Sequence, residues 1–191
     1  DSMLGYEDFE EKTIARKEIF KGNIIDVYLD DVALPQGGTS QRELVFPPGG
    51  VGNLAITPDN KIVLVKQFRK PLEKVILEIP AGKIEQGEGH TPLQTGMREL
   101  EEETGYQATA FEHLTSMYLS PGFSDELLHV YHAKNLTKVD EPLPQDEDEV
   151  LEIFELTLEE AKAKMATQEI CDAKTIFAIQ YWELLISKER D

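Results

Sequence analysis

The sequence predicts an α+β fold, a sandwich in which a mixed sheet is covered by helices. Three observations predict it. Strand-like segments run almost without interruption from Lys12 to Ile79. One well-capped helix then interrupts the strands near the middle of the chain, and two helical segments close it. At 191 residues the chain is long for one small domain and short for two, so one domain with an added terminal element is expected.

The elements follow in order. Residues 12–21, 23–34 and 41–46 carry the β-branched and aromatic content of strands, with a turn at Pro35-Gln36-Gly37-Gly38. These three make an antiparallel element over residues 1–46, set off from a main domain over 47–191. Its open edges need covering, and a second copy of the chain would cover them. Segments 52–57 and 61–68 are strands joined by Pro58-Asp59-Asn60, and 74–79 delivers the chain to Pro80-Ala81-Gly82. After the central helix come strands around 110–118, 127–133 and 150–155. Thr157 and Glu160 form a capping box for a helix to about Met165. Asp172 caps a last helix whose apolar stripe is Ile176, Ile179, Trp182, Leu185 and Ile186.

Composition narrows the function. Hydrophobic residues at 40% and charged residues at 29% are the balance of a soluble globular domain. A net charge of −18 disfavours nucleic acid, which needs basic surface to displace counterions. No apolar run approaches a membrane span, and no basic-then-apolar start marks a signal peptide. Cys171 is the only cysteine, which points to a reducing cytoplasm and a buried structural thiol. The histidines, His90, His113, His129 and His132, form no catalytic pattern.

The chemistry is concentrated in residues 82–106, GKIEQGEGHTPLQTGMRELEEETGY. Thr91 is an N-cap, Pro92 suits the first helical position, and Gln94 completes a capping box. Gly105 supplies a left-handed stop. Leu93, Met97, Leu100 and Thr104 fall on one stripe, the expected core face. Glu99, Glu102 and Glu103 share an arc of about 100° elsewhere on the helix, with Arg98 beside it and Glu101 pointing away. Those carboxylates repel each other, and the helix dipole disfavours anions in the last turn by about 0.3–1 kcal/mol each. Helix physics alone leaves two readings, a solvated acidic face and a site for a hard cation such as Mg²⁺.

The pattern goes further. Gly82, Glu88, Arg98, Glu99, Leu100, Glu102, Glu103, Gly105 and Tyr106 together resemble the Nudix box. In that family the segment is a loop–helix–loop that binds Mg²⁺ and cleaves a nucleoside diphosphate linked to another moiety. Between Glu88 and Arg98 this chain has two residues more than the family pattern. Because Thr91-Pro92 still reads as a helix start, the extra residues are assigned to the loop around Gly89-His90. The resemblance implies a Nudix-type α/β/α sandwich.

Outside the box, Gln67-Phe68-Arg69-Lys70, Leu77-Glu78-Ile79-Pro80-Ala81-Gly82, Arg42-Glu43 and the Ser120-Pro121-Gly122 loop resemble the ADP-ribose pyrophosphatase branch. That implies hydrolysis of ADP-ribose to AMP and ribose 5-phosphate, with other ADP-sugars as candidate further substrates. It implies a homodimer that exchanges its N-terminal strands. Glu99, Glu102, Glu103 and the Ala81 carbonyl would bind Mg²⁺, with Mn²⁺ as the alternative. Arg42, reaching the partner's site, and Arg69 would grip the substrate, at least one of them facing the diphosphate, since a guanidinium fork fits phosphate oxygens. Glu78, Ser120, Gly122 and Glu126 match positions that contact the nucleoside or terminal ribose. The general base falls in the acidic loop at Glu147, with Glu149 as runner-up. Tyr28 is a candidate platform for the adenine. Two other functions stand beside this one: a Nudix hydrolase of another nucleoside diphosphate derivative, and a sensor that binds ADP-ribose without cutting it. The three intact box glutamates and the absence of a spare domain in this sequence weigh against the sensor.

Overall fold

The computed structural model describes residues 3–85 and 91–190. The expectations for Glu88 and for the Gly89-His90 insertion lie outside the described residues. The chain divides into two compact units, Asp1–Gly49 with Tyr118–Leu127, and Gly50–Met117 with Leu128–Asp191.

The first unit is a three-stranded antiparallel sheet of β1 (Lys12–Lys21), β2 (Asp26–Ala33) and β3 (Thr39–Phe46). Arg16, Asp30 and Arg42 stand in register across it. Asp30 is buried and accepts hydrogen bonds from Arg16 Nε at 2.7 Å, Arg16 Nη2 at 2.9 Å and Thr13 Oγ1 at 3.0 Å. This Arg16 pairing holds the Asp30 carboxyl below the usual carboxylate range. The Arg16 guanidinium also lies over two rings, 5.1 Å from the centroid of Tyr28 and 5.4 Å from that of Phe46. A planar cation clamped by a carboxylate and two aromatic faces fixes the register of all three strands. The loop of Tyr118–Leu127 joins the same unit through the Val45 N–H, which donates to Phe123 O at 2.8 Å.

The second unit is the sandwich. One sheet runs β10-β5-β6, from β5 (Ile62–Arg69), β6 (Lys74–Glu78) and β10 (Glu152–Leu156), all antiparallel. The other runs β7-β4-β9-β8, from β4 (Gly50–Ala55), β7 (Ala81–Lys83), β8 (Tyr106–Leu119) and β9 (Glu126–Lys138), and is mixed because β4 and β9 pair in parallel. The apolar run Ile62-Val63-Leu64-Val65 is buried throughout, and its side chains alternate between two clusters. Ile62 and Leu64 join Leu54, Ile79, Ile170, Ala178, Ile179 and Trp182. Val63 joins Ala55, Leu100, Tyr106, Ala133 and Leu136. Strands covered on both faces need such continuous apolar runs. Helices α2 (Leu158–Ala166) and α3 (Ala173–Arg190) supply the first cluster, and α1 (Pro92–Thr104) supplies the second.

Both capping boxes form as the sequence predicts. Gln94 N–H donates to Thr91 Oγ1 at 3.2 Å and Glu160 N–H donates to Thr157 Oγ1 at 3.2 Å. Among the described residues no helix is long and apolar enough to cross a membrane.

Four expectations need correction. Strands β8 and β9 extend several residues beyond the segments read from sequence, because stretches such as Lys134-Asn135 continue the strand without apolar alternation. β7 was read as a loop; its pairing comes from the β4 backbone, opposite Gly50, Val51 and Gly52. The third concerns α1. Leu93 and Met97 are 37% and 48% exposed, and the buried residues are Thr95, Gly96, Glu99, Leu100 and Glu103. The helix turns Gly96 toward β4, where Asn53 Nδ2 donates to Gly96 O at 2.9 Å and an added Cβ would come within 3.0 Å of Val51 Cγ1. Close backbone approach sets the rotation of α1, and that rotation carries two acidic residues inward. Cys171 is half-buried rather than buried.

The stop of α1 is testable. Gly105 holds φ 73°, and its N–H donates to Glu101 O at 2.8 Å. An L-residue in that region costs about 1–2 kcal/mol. Gly105→Ala should therefore lower the unfolding free energy by that amount, read as a lower urea midpoint with an unchanged m-value.

Candidate active site

The site is built where β7 meets α1. Gly82 has no side chain because Glu99 occupies the space: a Cβ there would fall 2.1 Å from Glu99 Cδ and 2.3 Å from Glu99 Cγ. One turn further along, Glu103 accepts a hydrogen bond from the Ala81 N–H at 3.1 Å. Glu99 and Glu103 are 8% and 5% exposed. Glu102 is turned outward to Arg98, whose Nη1 donates to both of its oxygens at 3.2 Å, and Arg98 Nη1 lies 3.4 Å from Glu99.

The electrostatics are unfavourable as they stand. Burial pushes the Glu99 carboxyl up to about 7; Arg98 offsets this, while Glu102, Glu149 and Asp146 add to it. Burial pushes Glu103 up to about 9, with Glu99 adding and the Ala81 N–H opposing. Among the described residues no three acidic or imidazole groups converge as ligands on one point. Instead Arg98 stands between Glu99 and Glu102, and the Ala81 N–H holds Glu103. A divalent cation nevertheless fits this donor set, which is all hard oxygen, buried and short of positive charge. Of the four groups assigned to the metal from the sequence, the structure brings Ala81, Glu99 and Glu103 together and leaves Glu102 on the rim with Arg98.

The acidic loop contributes unequally. Glu149 feels desolvation first, then repulsion from Asp146 and Asp148, all raising its carboxyl, with Arg69 lowering it and Glu102 raising it. Its charge in turn raises Glu99 and Glu103. The Glu149 carboxyl therefore shares a field with the box glutamates and Arg69, while Glu147, exposed as Glu149 is, stands in the turn before it.

Arg69 and Glu78 were both singled out as substrate contacts, and the structure pairs them with each other. Arg69 Nε donates to Glu78 Oε2 at 2.6 Å and Nη2 donates to Oε1 at 2.9 Å. Glu78 is 2% exposed and receives a third bond from Lys174 Nζ at 2.6 Å. Burial alone would raise Glu78, but Arg69 and Lys174 hold it below the usual carboxylate range. Lys174 was missed from sequence, where it reads as one more lysine on a helix; only the fold brings it to Glu78.

The remaining candidates belong to the first unit. Arg42 forms a fork–fork pair with Glu11, at 2.8 and 2.9 Å, and its Nη1 donates to Ser40 Oγ at 3.0 Å and Gln41 O at 2.9 Å. Ser120 holds φ 51°, and its carbonyl accepts from the N–H groups of Phe123 at 3.2 Å and Ser124 at 3.0 Å. Pro121 lies in that turn. Gly122 has open space around its Cα, and the Glu126 N–H donates to Ser124 Oγ at 3.1 Å.

Comparison with known proteins gives a consistent result. The family described as NUDIX domain matches residues 47–176. A Bacillus subtilis (strain 168) protein named ADP-ribose pyrophosphatase is 53% identical over 175 residues, covering 92% of this chain and 94% of its own. A Bacillus methanolicus protein named methanol dehydrogenase activator is 52% identical over 176 residues, covering 92% and 94%. A crystal structure of an ADP compounds hydrolase has a TM-score of 0.82 to this chain, covering 94% of it and 96% of that chain. At 18% identity that last likeness is one of fold.

The raised carboxyls predict a pH dependence of stability for the metal-free protein. Folded Glu103 keeps its proton up to about 9, whereas its ordinary value is 4.5. Between those values the folded state binds more protons than the unfolded one, so stability falls as pH rises. Urea unfolding in chelator at about pH 6 and about pH 8.5 should show that loss in the wild type. Glu103→Gln should keep its fold and show a smaller loss. Equal losses in the two proteins would contradict the burial cost assigned to Glu103.

Proposed function

This chain belongs to the NUDIX domain family, and on that premise we propose that it hydrolyses the diphosphate of ADP-ribose to AMP and ribose 5-phosphate with Mg²⁺. The observation that carries the reading is the buried pair Glu99 and Glu103 beside the Ala81-Gly82 backbone. The name of the Bacillus subtilis relative supports the substrate, at 53% identity over most of both chains.

Glu99, Glu103 and the Ala81 carbonyl would hold the metal, with Glu102 joining by release from Arg98. Mg²⁺ bound there would acidify water and screen charge developing on phosphorus. Arg98 keeps the acidic face partly neutral before metal arrives. Arg69 offers a guanidinium to the diphosphate oxygens. An acidic side chain takes a proton from the attacking water as the new P–O bond forms and the bridging P–O bond breaks, leaving one phosphate on each product. We assign that base to Glu149 rather than Glu147, because the Glu149 carboxyl shares the field of Glu99, Glu103 and Arg69. Arg42, Ser120, Gly122 and Glu126 are retained as substrate contacts on the resemblance.

We also propose a homodimer in which residues 1–46 cover a second copy. β1 is exposed along its whole length, and Ile14, Ile19 and Phe20 are each more than half exposed. A free edge with outward apolar side chains calls for a covering surface. The lone Cys171 fits a reducing cytoplasm.

A second reading has its own support. The Bacillus methanolicus relative is named for activating a dehydrogenase, so partner activation is a role to be tested beside hydrolysis.

Chromatography of products from a panel of nucleoside diphosphate derivatives should show ADP-ribose cut to AMP, and only with a divalent cation. Cleavage of another member with ADP-ribose untouched would overturn the substrate. Binding of ADP-ribose without cleavage would favour a sensor. Glu149→Gln should lower kcat by about 10²–10⁴-fold with KM little changed, and Glu147→Gln should cost far less. The reverse ranking would return the base to Glu147. Sedimentation should give a dimer, with a chain lacking residues 1–46 aggregating or inactive.

A further inference from the structure

Lys174 is a buried cation that the mechanism above does not use. It lies in the first turn of α3, 9% exposed, with its ammonium 2.6 Å from Glu78 Oε1 and 2.8 Å from Asp172 Oδ1. A buried ammonium persists only when such partners repay its desolvation. The slot is built from several directions. The Ile79 N–H donates to Thr175 Oγ1 at 3.0 Å, the Thr175 hydroxyl donates to the Asp172 carboxylate, and the Ile176 N–H donates to Asp172 O at 3.0 Å. These bonds tie the start of α3 to the end of β6, where Glu78 stands.

Glu78 then connects Lys174 to Arg69. Its Oε1 is shared between Lys174 Nζ and Arg69 Nη2, and its Oε2 takes Arg69 Nε. The carboxylate cannot rotate without breaking a bond to one cation or the other. A two-bond pair on the Nε–Nη2 edge also stops the guanidinium from turning. Among the described residues Nη1 of Arg69 carries none of these bonds, so its two N–H groups are left for a ligand. Charge follows the same logic. Arg69 and Glu78 cancel, as do Lys174 and Asp172, so what the four supply is a fixed geometry rather than a net charge.

We propose that Lys174 is a positioning residue for Arg69: acting through Glu78, it fixes the guanidinium with its Nη1 edge free for the diphosphate of the substrate. On this account Glu78 serves the same relay and is not itself a substrate contact. The proposal rests on the ADP-ribose reading for its substrate, but not for its geometry.

The test is a double-mutant cycle with a substrate-independent arm. Lys174→Met should raise KM for ADP-ribose about tenfold, as loss of a charge-assisted hydrogen bond does, with kcat changed far less. In an Arg69→Ala background the same substitution should change KM by less than about twofold, because the two act as one unit. Lys174→Arg should recover part of the loss. The second arm follows the Arg69 Nε–H by nitrogen-15 NMR, assigned by its absence in Arg69→Ala. That signal should exchange slowly in the wild type and broaden or vanish in Lys174→Met. Lys174→Gln replaces Lys174→Met in both arms if the latter does not fold. Equal KM effects in the two Arg69 backgrounds, or an Nε–H unaffected by losing Lys174, would overturn the proposal. Should the wild type leave ADP-ribose uncut, the functional reading falls, and the NMR arm still decides whether Lys174 holds Arg69.

Discussion

Glu99 and Glu103 stand one helical turn apart, both buried, both beside the backbone of Ala81-Gly82. Like charges in a dry place are costly, and Arg98 and the Ala81 N–H offset them only in part. The surroundings follow from that constraint. Position 82 must be glycine, since Glu99 fills the space of its side chain. Gly96 lets α1 lie close enough on β4 to carry those glutamates inward. The capping box at Thr91 and the left-handed stop at Gly105 fix where the helix begins and ends, and therefore where its acidic turn falls. Arg98 pairs with Glu102 and offsets Glu99 in part, while Glu103 is held by the Ala81 N–H. A fold selected only for stability would put apolar side chains at 99 and 103.

The second buried charge system has the opposite character. Arg69, Glu78, Lys174 and Asp172 carry two positive and two negative charges, joined by bonds of 2.6–2.9 Å. Breaking one member of such a network costs more than the network contributes, so its use lies in geometry rather than in stability. It presents a fixed arginine to the same region in which the box presents buried carboxylates, as the mutual effects of Arg69, Glu103 and Glu149 indicate. One system is short of positive charge and the other holds a cation rigidly. A metal–diphosphate complex is complementary to both.

How much of this was legible in the sequence depends on the range of the interaction. The caps of α1 and α2 were legible because Thr91 with Gln94, and Thr157 with Glu160, act within one turn. The sandwich was legible from strand-like runs and from the apolar stretch at Ile62–Val65. The rotation of α1 was not: Leu93 and Met97 make the better apolar stripe, and only contact with Val51 and Asn53 selects the other face. Glu78 and Arg69 could be named from their surroundings in the chain but not paired. Lys174 lies 96 residues from Glu78, and no local pattern could connect them. Ranking Glu147 against Glu149 as the proposed base likewise depends on where the acidic loop lies against Arg69 and the box, which no local pattern gives.

The central claim is that the buried acidic turn of α1 exists to hold a divalent cation. Counting bound Mn²⁺ by electron paramagnetic resonance, in the absence of nucleotide, tests it most directly. The wild type should bind Mn²⁺ saturably, with Mg²⁺ competing. Glu103→Gln should weaken that binding by more than about tenfold, the lower end of the loss seen when even an outer-shell partner is removed. Equal Mn²⁺ binding by a folded Glu103→Gln protein, or none by the wild type, would contradict the account.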